Sequence, residues 1–486
     1  MSTSPPKALD RARAKAYARL LPLLFCCYVI AYVDRANVAI AKLTMTRDLP
    51  GFDNAVIGFG AGVFFIGYFL LEIPGTLIVE RWSARKWISR IMISWGIMAA
   101  MTAYIASPLP GAPGVVRTLN SAFGMHLNVA ELQFYLVRFL LGLAEAGFFP
   151  GVIVYLTHWF PSRDRARALA WFFVATPIAQ IISPKLSNIL LRIGTDETID
   201  GVLVHHPEVL GLEGWQWVYI AWGIPAVVLG VLVFFLLTDR PGQARWLEPD
   251  EREALEEELK REKALRHTGT HMGVLKALRD PKVIALAAAY FFIVTGNYGV
   301  EFFLPSILEK WYHLKLDRLT WLIILPPIGS LVGQLFVGWN SDRTNERRLH
   351  AVVPIYLGAA ALACTAFLDA PPLWLTVALF IGAMTGLKAY MPAFWSLPSL
   401  FLTEAAAAGS IGLINSVGNL GGFLGPYVLG KVETVTGSFK GGILFLSVSM
   451  AISATIIFWL GLGRRVEKSP LADEPDPIAE ALVEPV

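Results

Sequence analysis

Charge is scarce in this chain. Only 16% of its 486 residues are Asp, Glu, Lys or Arg, against about 25% in an ordinary soluble protein. With 55% apolar residues and a mean hydropathy of +0.54, a water-soluble globule could not cover so much apolar surface. Cysteine is scarcer still: Cys26, Cys27 and Cys364 all lie in apolar runs, which argues against a disulfide framework and gives no metal-ligand spacing. There is no phosphate-cradling glycine loop, no nucleophile–base set and no metal cluster, so the residues an enzyme or nucleotide-driven pump would need are missing. His205 with His206, and His267 with His271, lack further ligands and are not read as metal sites. Basic residues are scattered over short loops rather than gathered in a patch, which speaks against nucleic acid.

Long apolar runs fill the chain instead. Windows of about 19 residues place twelve spans, at 20–41, 55–78, 88–107, 131–154, 167–191 and 216–238, then 283–305, 319–340, 351–368, 373–398, 406–430 and 441–463. The expected fold is an all-α integral membrane protein of twelve transmembrane helices in two pseudo-symmetric six-helix bundles. The expected domains are a tail (1–19), a first bundle (20–238), a linker (239–282), a second bundle (283–463) and a final tail (464–486). The first run is too long for a signal peptide and lacks a small-residue cleavage site, so it reads as a retained span. If the N-terminus is cytoplasmic, the inside segments hold 28 of the 41 Lys and Arg and the outside loops 9. That bias orients both termini to the cytoplasm of an inner membrane. Residues 249–266, PDEREALEEELKREKALR, read as a solvated helix on the linker. The long outer loops 108–130 and 192–215 read as lids or tolerated insertions.

The loop between spans 2 and 3 carries ERWSARK (80–86), and the corresponding loop of the second half carries DRTNERR (342–348). Both read acid, Arg, three residues, Arg, basic. Parallel halves of six spans are a repeat pattern of alternating-access carriers, with substrate bound near the midplane between the halves. These paired motifs resemble the signature loop of the major facilitator superfamily. The runs YVDRANVAIA, RFLLGLAEAGFFPGVIVYLTHWFP (138–161), AFWSLP (393–398), INSVGNLGGFLGPYVLG (414–430) and DRPGQARWLEPDER resemble its anion:cation symporter family, over about residues 17–465. That resemblance implies proton-coupled uptake of organic anions such as sugar acids, tartrate-like dicarboxylates or aromatic carboxylates. It implies no cofactor and a monomer, whose partners are the anion, a proton and the lipid bilayer.

Asp34 and Arg35 lie inside the first span. Residues 20–33 alone would make a helix of about 21 Å, short of the roughly 30 Å hydrocarbon core, so the helix must run on through the charges. Adjacent helical residues do not face one another, and the two must look to different neighbours. In span 4, Arg138 and Glu145 are seven apart on nearly one face, so two acids and two bases can meet between spans 1 and 4. Either the four form a static network that holds helices together, or they mark an ion and substrate path. On the second reading Arg35 binds the substrate carboxylate with its planar donors. Asp34 and Glu145 are the proton carriers, Glu145 first, with Arg138 as its structural partner. The resemblance implies the same roles for the matching positions.

Tyr32, Asn37 and Tyr68 flank the charges as candidate binding groups. Asn297, Tyr298, Ser396, Asn415 and Asn419 would converge from the second half. Lys388 lies deep in span 10, too far in to snorkel, and is either a second cavity cation or bound to a carbonyl or headgroup. Lys185 reads as a snorkelling surface residue. The repeated motif (Glu80, Arg81, Arg85; Asp342, Arg343, Arg347) is expected to lock the cytoplasmic helix ends. A solute sensor, and an exchanger or uniporter without proton coupling, remain as alternatives to a symporter.

Overall fold

The computed structural model describes residues 6–81, 83–124, 126–161, 164, 168, 172, 174–199, 202–266, 279–344, 346–368, 371–400 and 404–463. Each expected span is helical in its described part. In the first half the helices are Pro6–Asp48, Asn54–Arg81, Ala84–Met101, a broken span 4 of Val129–Glu145 and Phe148–Thr157, then Ala175–Leu191 and Gly214–Leu236. The second half has Pro281–Tyr312, Leu316–Thr344 and Arg348–Phe367. Span 10 follows as Leu373–Ala389 and Met391–Ser396, span 11 as Glu404–Asn419 and Gly421–Thr436, and span 12 as Lys440–Leu460. Among the described residues nine helices are long and apolar enough to cross a bilayer unaided. The described helices of span 3, Ala84–Met101, and of span 11, Glu404–Asn419 and Gly421–Thr436, are not among these nine, and part of span 5 lies outside the described residues.

Local chemistry sets several boundaries. The Ser83 side chain accepts the Lys86 N–H at the start of span 3, and Asn128 with Glu131 forms a reciprocal capping box at the start of span 4. Asp280 caps span 7 ahead of Pro281. Span 4 breaks because Gly147 takes a φ of +83°, which a side chain would resist. The linker helix forms over Pro249–Arg266 as expected. The outer loops are more ordered than the sequence suggests. One carries a helix, Ala112–Phe123, and the other an antiparallel hairpin pairing Asp196–Ile199 with Val202–His205, so the chain is not wholly helical.

Packing repeats with an offset of six spans. Span 3 packs on 6, 2 on 4, and 1 on 5 and 6; correspondingly 9 packs on 12, 8 on 10, and 7 on 11 and 12. Across the halves, 2 meets 11 and 5 meets 8, which is again one relation applied twice. Small residues permit the approach: a Cβ on Gly142 of span 4 would stand 2.0 Å from the Phe64 carbonyl oxygen of span 2.

The two faces of the molecule differ. On the face away from the termini, polar contacts join the halves. Arg47 pairs with Glu309; Arg192 and Asn188 both reach Asp317, the amide at 2.6 Å; Asn54 donates to Glu433 at 2.6 Å. Lys185 belongs to this seam rather than to the lipid surface, with its ammonium 3.2 Å from the ring centroid of Trp321 in span 8. On the terminal face the contacts stay within one half or tie it to the linker. Arg11 reaches Asp250 at 2.7 Å, Lys15 reaches Glu251 at 2.7 Å, and the Arg347 N–H donates to the Gly463 carbonyl at 2.9 Å. Among the described residues no ion pair joins the halves on that face. The central cavity correspondingly extends from Arg35 toward the terminal face, past Tyr28, Phe149, Tyr290 and Trp395.

Candidate functional site

Arg35 projects from span 1 into the central cavity. Its guanidinium donates to the Glu145 carboxylate of span 4 and, at 3.0 Å, to the Tyr298 hydroxyl of span 7. The rings of Phe64 and Tyr68 lie 5.5 and 5.4 Å from it, close enough for cation–π attraction. Glu145 is the last residue before the break in span 4, so the cation sits at a helix C-terminus, where it complements the helix dipole as well as the carboxylate. The Arg35 side chain is 15% exposed and that of Glu145 2%. The cation therefore has one edge on the cavity, while its anion is nearly enclosed.

A second charged group stands beside the first. Glu301 of span 7 accepts from Gln180 at 2.7 Å, Tyr32 at 3.1 Å and Asn297 at 3.2 Å. Lys388 of span 10 donates to the Tyr32 hydroxyl at 3.2 Å and pairs with Glu301 at 3.8 Å. Lys388 thus faces the cavity and reaches neither headgroup nor carbonyl. Glu72 of span 2 accepts from Asn415 of span 11 across the halves. Glu301 and Glu72 were missed in the sequence, although both are acids inside apolar runs, the signal that marked Asp34.

Of the sequence-predicted binding residues, Arg35, Tyr32, Tyr68, Asn297, Tyr298, Lys388, Asn415 and Asn419 line one cavity together with Glu145. Asn37 and Ser396 do not. Asn37 is fully buried and donates to Asp34 at 3.1 Å, and the Ser396 hydroxyl donates to the Ala393 carbonyl at 2.7 Å while its neighbour Trp395 takes the cavity wall. Asp34 also turns away from the cavity. It is 2% exposed and accepts from the Trp95 indole of span 3 inside the first half. A helix rotates about 100° per residue, so Arg35 and Asp34 cannot share a direction. Arg138 makes no ion pair with Glu145 among the described residues. It is fully buried, its Nε donates to the Gly60 carbonyl at 3.3 Å, and its two terminal nitrogens have no hydrogen-bond partner among the described residues. Both guanidinium groups lie over the Phe64 ring, with Arg138 at 5.1 Å, and Glu145 is taken by Arg35.

The repeated loop motif ties each half to the end of its own sixth helix. The Ser83 hydroxyl and Arg85 N–H donate to Asp239 at 2.7 and 2.9 Å, and the Arg85 guanidinium lies 5.4 Å from the Phe234 ring. In the second copy the Arg347 guanidinium donates to Ser341 at 3.0 Å, its N–H binds the Gly463 carbonyl, and Arg343 lies over Trp339. The side chains of Glu80, Arg81 and Asp342, like His267 and His271, fall outside the described residues.

The family model of the Major Facilitator Superfamily matches residues 24–426. An Agrobacterium vitis protein named "Putative tartrate transporter" is 38% identical over 92% of this chain and 90% of its own. A "Quinolone resistance transporter" of Acinetobacter baumannii is 36% identical over 90% and 92%, and the "Inner membrane transport protein RhmT" of Escherichia coli is 32% identical over 96% and 98%. Among solved structures, the inward-open, partially occluded xylose transporter XylE from E. coli shares the fold, with a TM-score of 0.69 at 13% identity, covering 94% of this chain and all of that one. The chain belongs to the major facilitator superfamily of membrane transporters, and is a transporter rather than an enzyme.

Proposed function

We propose that this transporter is a proton-coupled symporter that carries a small organic anion across the cytoplasmic membrane by alternating access, as a monomer with both termini in the cytoplasm. The observation that carries the reading is the Arg35 guanidinium, held between Glu145 and Tyr298 with one edge on the cavity. A substrate carboxylate matches its planar fork of donors. Once the anion takes that cation, Glu145 stands in an apolar wall without its counter-charge, and a carboxylate so placed binds a proton. Anion and proton therefore enter together, and the neutralised site crosses with less electrostatic cost. The relatives' names, one of which specifies tartrate, support the anion class, and the bias of basic residues supports the orientation.

The test uses the purified chain in proteoliposomes with an imposed pH gradient, against a panel of sugar acids, dicarboxylates and aromatic acids. Uptake of one class is expected to follow the gradient. Arg35→Ala should abolish it, and Glu145→Gln should abolish net uptake while sparing exchange. A substrate bound equally well by Arg35→Ala would remove Arg35 from the site. Gradient-driven net uptake by Glu145→Gln would leave an exchanger or uniporter, or a carrier that takes its proton elsewhere.

A further inference from the structure

The cavity holds a second cation that the coupling of Arg35 to Glu145 does not use. We propose that Lys388 receives a second carboxylate, so that the substrate is a short-chain dianion, and that Glu301 takes a second proton when it binds. This rests on the organic-anion reading above and narrows it.

Hydrogen bonding carries the argument. An ammonium has three donors, and among the described residues Lys388 spends one, on the Tyr32 hydroxyl. Glu301 stands 3.8 Å away, beyond hydrogen-bond length, and balances the charge without occupying a donor. The Glu301 oxygen nearest Lys388, Oε2, already accepts from Tyr32 and Asn297, and the other accepts from Gln180. Lys388 lines the cavity, whereas Glu301 stands behind it against a small separate cavity with Gln180 and Pro305. The ammonium is thus backed by a counter-charge and keeps free donors in front, which suits an incoming carboxylate.

The spacing suits two carboxylates on one small molecule. Arg35 and the Tyr32 that holds Lys388 are three residues apart on one face of span 1, and Tyr298 and Glu301 are three apart on span 7. Residues three apart on a helix are neighbours, with Cβ atoms roughly 5–6 Å apart. A second anion beside Lys388 leaves the Lys388–Glu301 group with one negative charge too many in an apolar wall. A proton from the solution on the uptake side, bound by Glu301, restores neutrality. Each carboxylate of the substrate then travels with one proton.

The experiment uses the full chain, with succinate, L-tartrate and the monoamide of each as probes. Each monoamide keeps the shape of its acid and loses one charge. The wild type should prefer a diacid over its monoamide by at least about tenfold in affinity, the scale of a charge-assisted hydrogen bond. Lys388→Met should bring that ratio near one, and Lys388→Arg should restore part of it, which separates a lost contact from a misfolded variant. Proton-to-substrate stoichiometry, read from reversal potentials in proteoliposomes, should be two in the wild type and one in Glu301→Gln. Equal wild-type affinity for diacid and monoamide overturns the proposal and leaves the organic-anion reading standing. So does a diacid preference that survives Lys388→Met, while a wild-type stoichiometry of one overturns the part given to Glu301. Binding of diacid and monoamide that Arg35→Ala leaves untouched removes Arg35 from the site and with it the coupling on which this proposal rests, whereas no binding of any diacid or monoamide to the wild type overturns the organic-anion reading itself.

Discussion

In the first half of the molecule Arg35 and Glu145 come from spans 1 and 4 and touch directly, and both line the cavity. In the second half Lys388 and Glu301 come from spans 10 and 7 and stand 3.8 Å apart, with the acid behind the base and Tyr32 of the first half bonded to both. The helices that bear the two pairs are equivalent under the six-span offset, span 1 with span 7 and span 4 with span 10, but the signs are exchanged. Base on span 1 faces acid on span 4; acid on span 7 faces base on span 10. Packing obeys the repeat, because apolar contact is indifferent to which side chain supplies it. Charge does not: the cation that lines the cavity comes from span 1 in the first half and from span 10, the counterpart of span 4, in the second.

The largest effect expected from this difference is at Arg35. Truncating one member of a hydrogen-bonded buried pair costs about 2–5 kcal/mol, so Arg35→Ala should weaken substrate binding about 30-fold or more in a ligand titration. Lys388→Ala, whose pair has no direct hydrogen bond, should weaken it about tenfold. Equal losses would mean that the two pairs work alike and that the contrast in their geometry has no consequence for binding.

Within the first half the contrast sharpens further between Arg35, which faces the cavity, and Asp34, which does not. Trp95→Phe removes an indole N–H that the buried Asp34 carboxylate accepts. Thermal unfolding should then show a loss of about 1–3 kcal/mol, with substrate affinity unchanged within about threefold. An affinity loss as large as that of Lys388→Ala would mean that Asp34 acts on the binding site despite facing away from the cavity.

The seam on the face away from the termini should respond more weakly, since exposed ion pairs contribute about 0–1 kcal/mol each. Glu309→Gln with Asp317→Asn removes the acids that hold Arg47 and Arg192 across the halves. The double variant should raise the labelling rate of a cysteine placed at Ser306, which lines the cavity beneath the seam, about threefold as the seam opens more often. An unchanged rate would mean that packing between spans 2 and 11 and between 5 and 8 holds the seam alone.

Much of this was legible in the sequence, and what was missed has a physical reason. The spans could be read because a bilayer demands long apolar runs. The break in span 4 could not, because a glycine inside an apolar run looks like a packing residue until its φ of +83° is seen. The expense of intramembrane charge singled out Arg35, Glu145 and Lys388, the last with its direction left open, and the structure puts all three in one cavity with Tyr298. The same expense should have exposed Glu72 and Glu301, which no motif pointed to. The directions of Asp34 and Arg138 could not be read, because charge in a span signals cost and not direction: the facing side depends on tertiary neighbours such as Trp95 and Phe64, which lie far away in the chain.

The linker gives the smallest effect and asks which half it rides with. Glu251, at the start of the linker helix, is fully enclosed and accepts from Lys15 at 2.7 Å, the Glu248 N–H at 3.0 Å and Arg11 at 3.1 Å, so the described part of the linker is bound to the first helix. Burial pushes this carboxyl up, but the hydrogen bonds from Lys15, the Glu248 backbone and Arg11 outweigh it and hold it below the usual glutamate range. A carboxyl depressed in the folded state stabilises above its unfolded pKa, about 4.3 for glutamate, and loses that contribution as pH falls through the folded value. Glu251→Gln should therefore lower the Tm by about 2–4 °C at pH 7. The gap between wild type and variant should hold steady down to about pH 5 and close below pH 4. A gap that persists unchanged to pH 3 would trace to the shape of the side chain, and the linker would then be held to the first half by packing instead of charge.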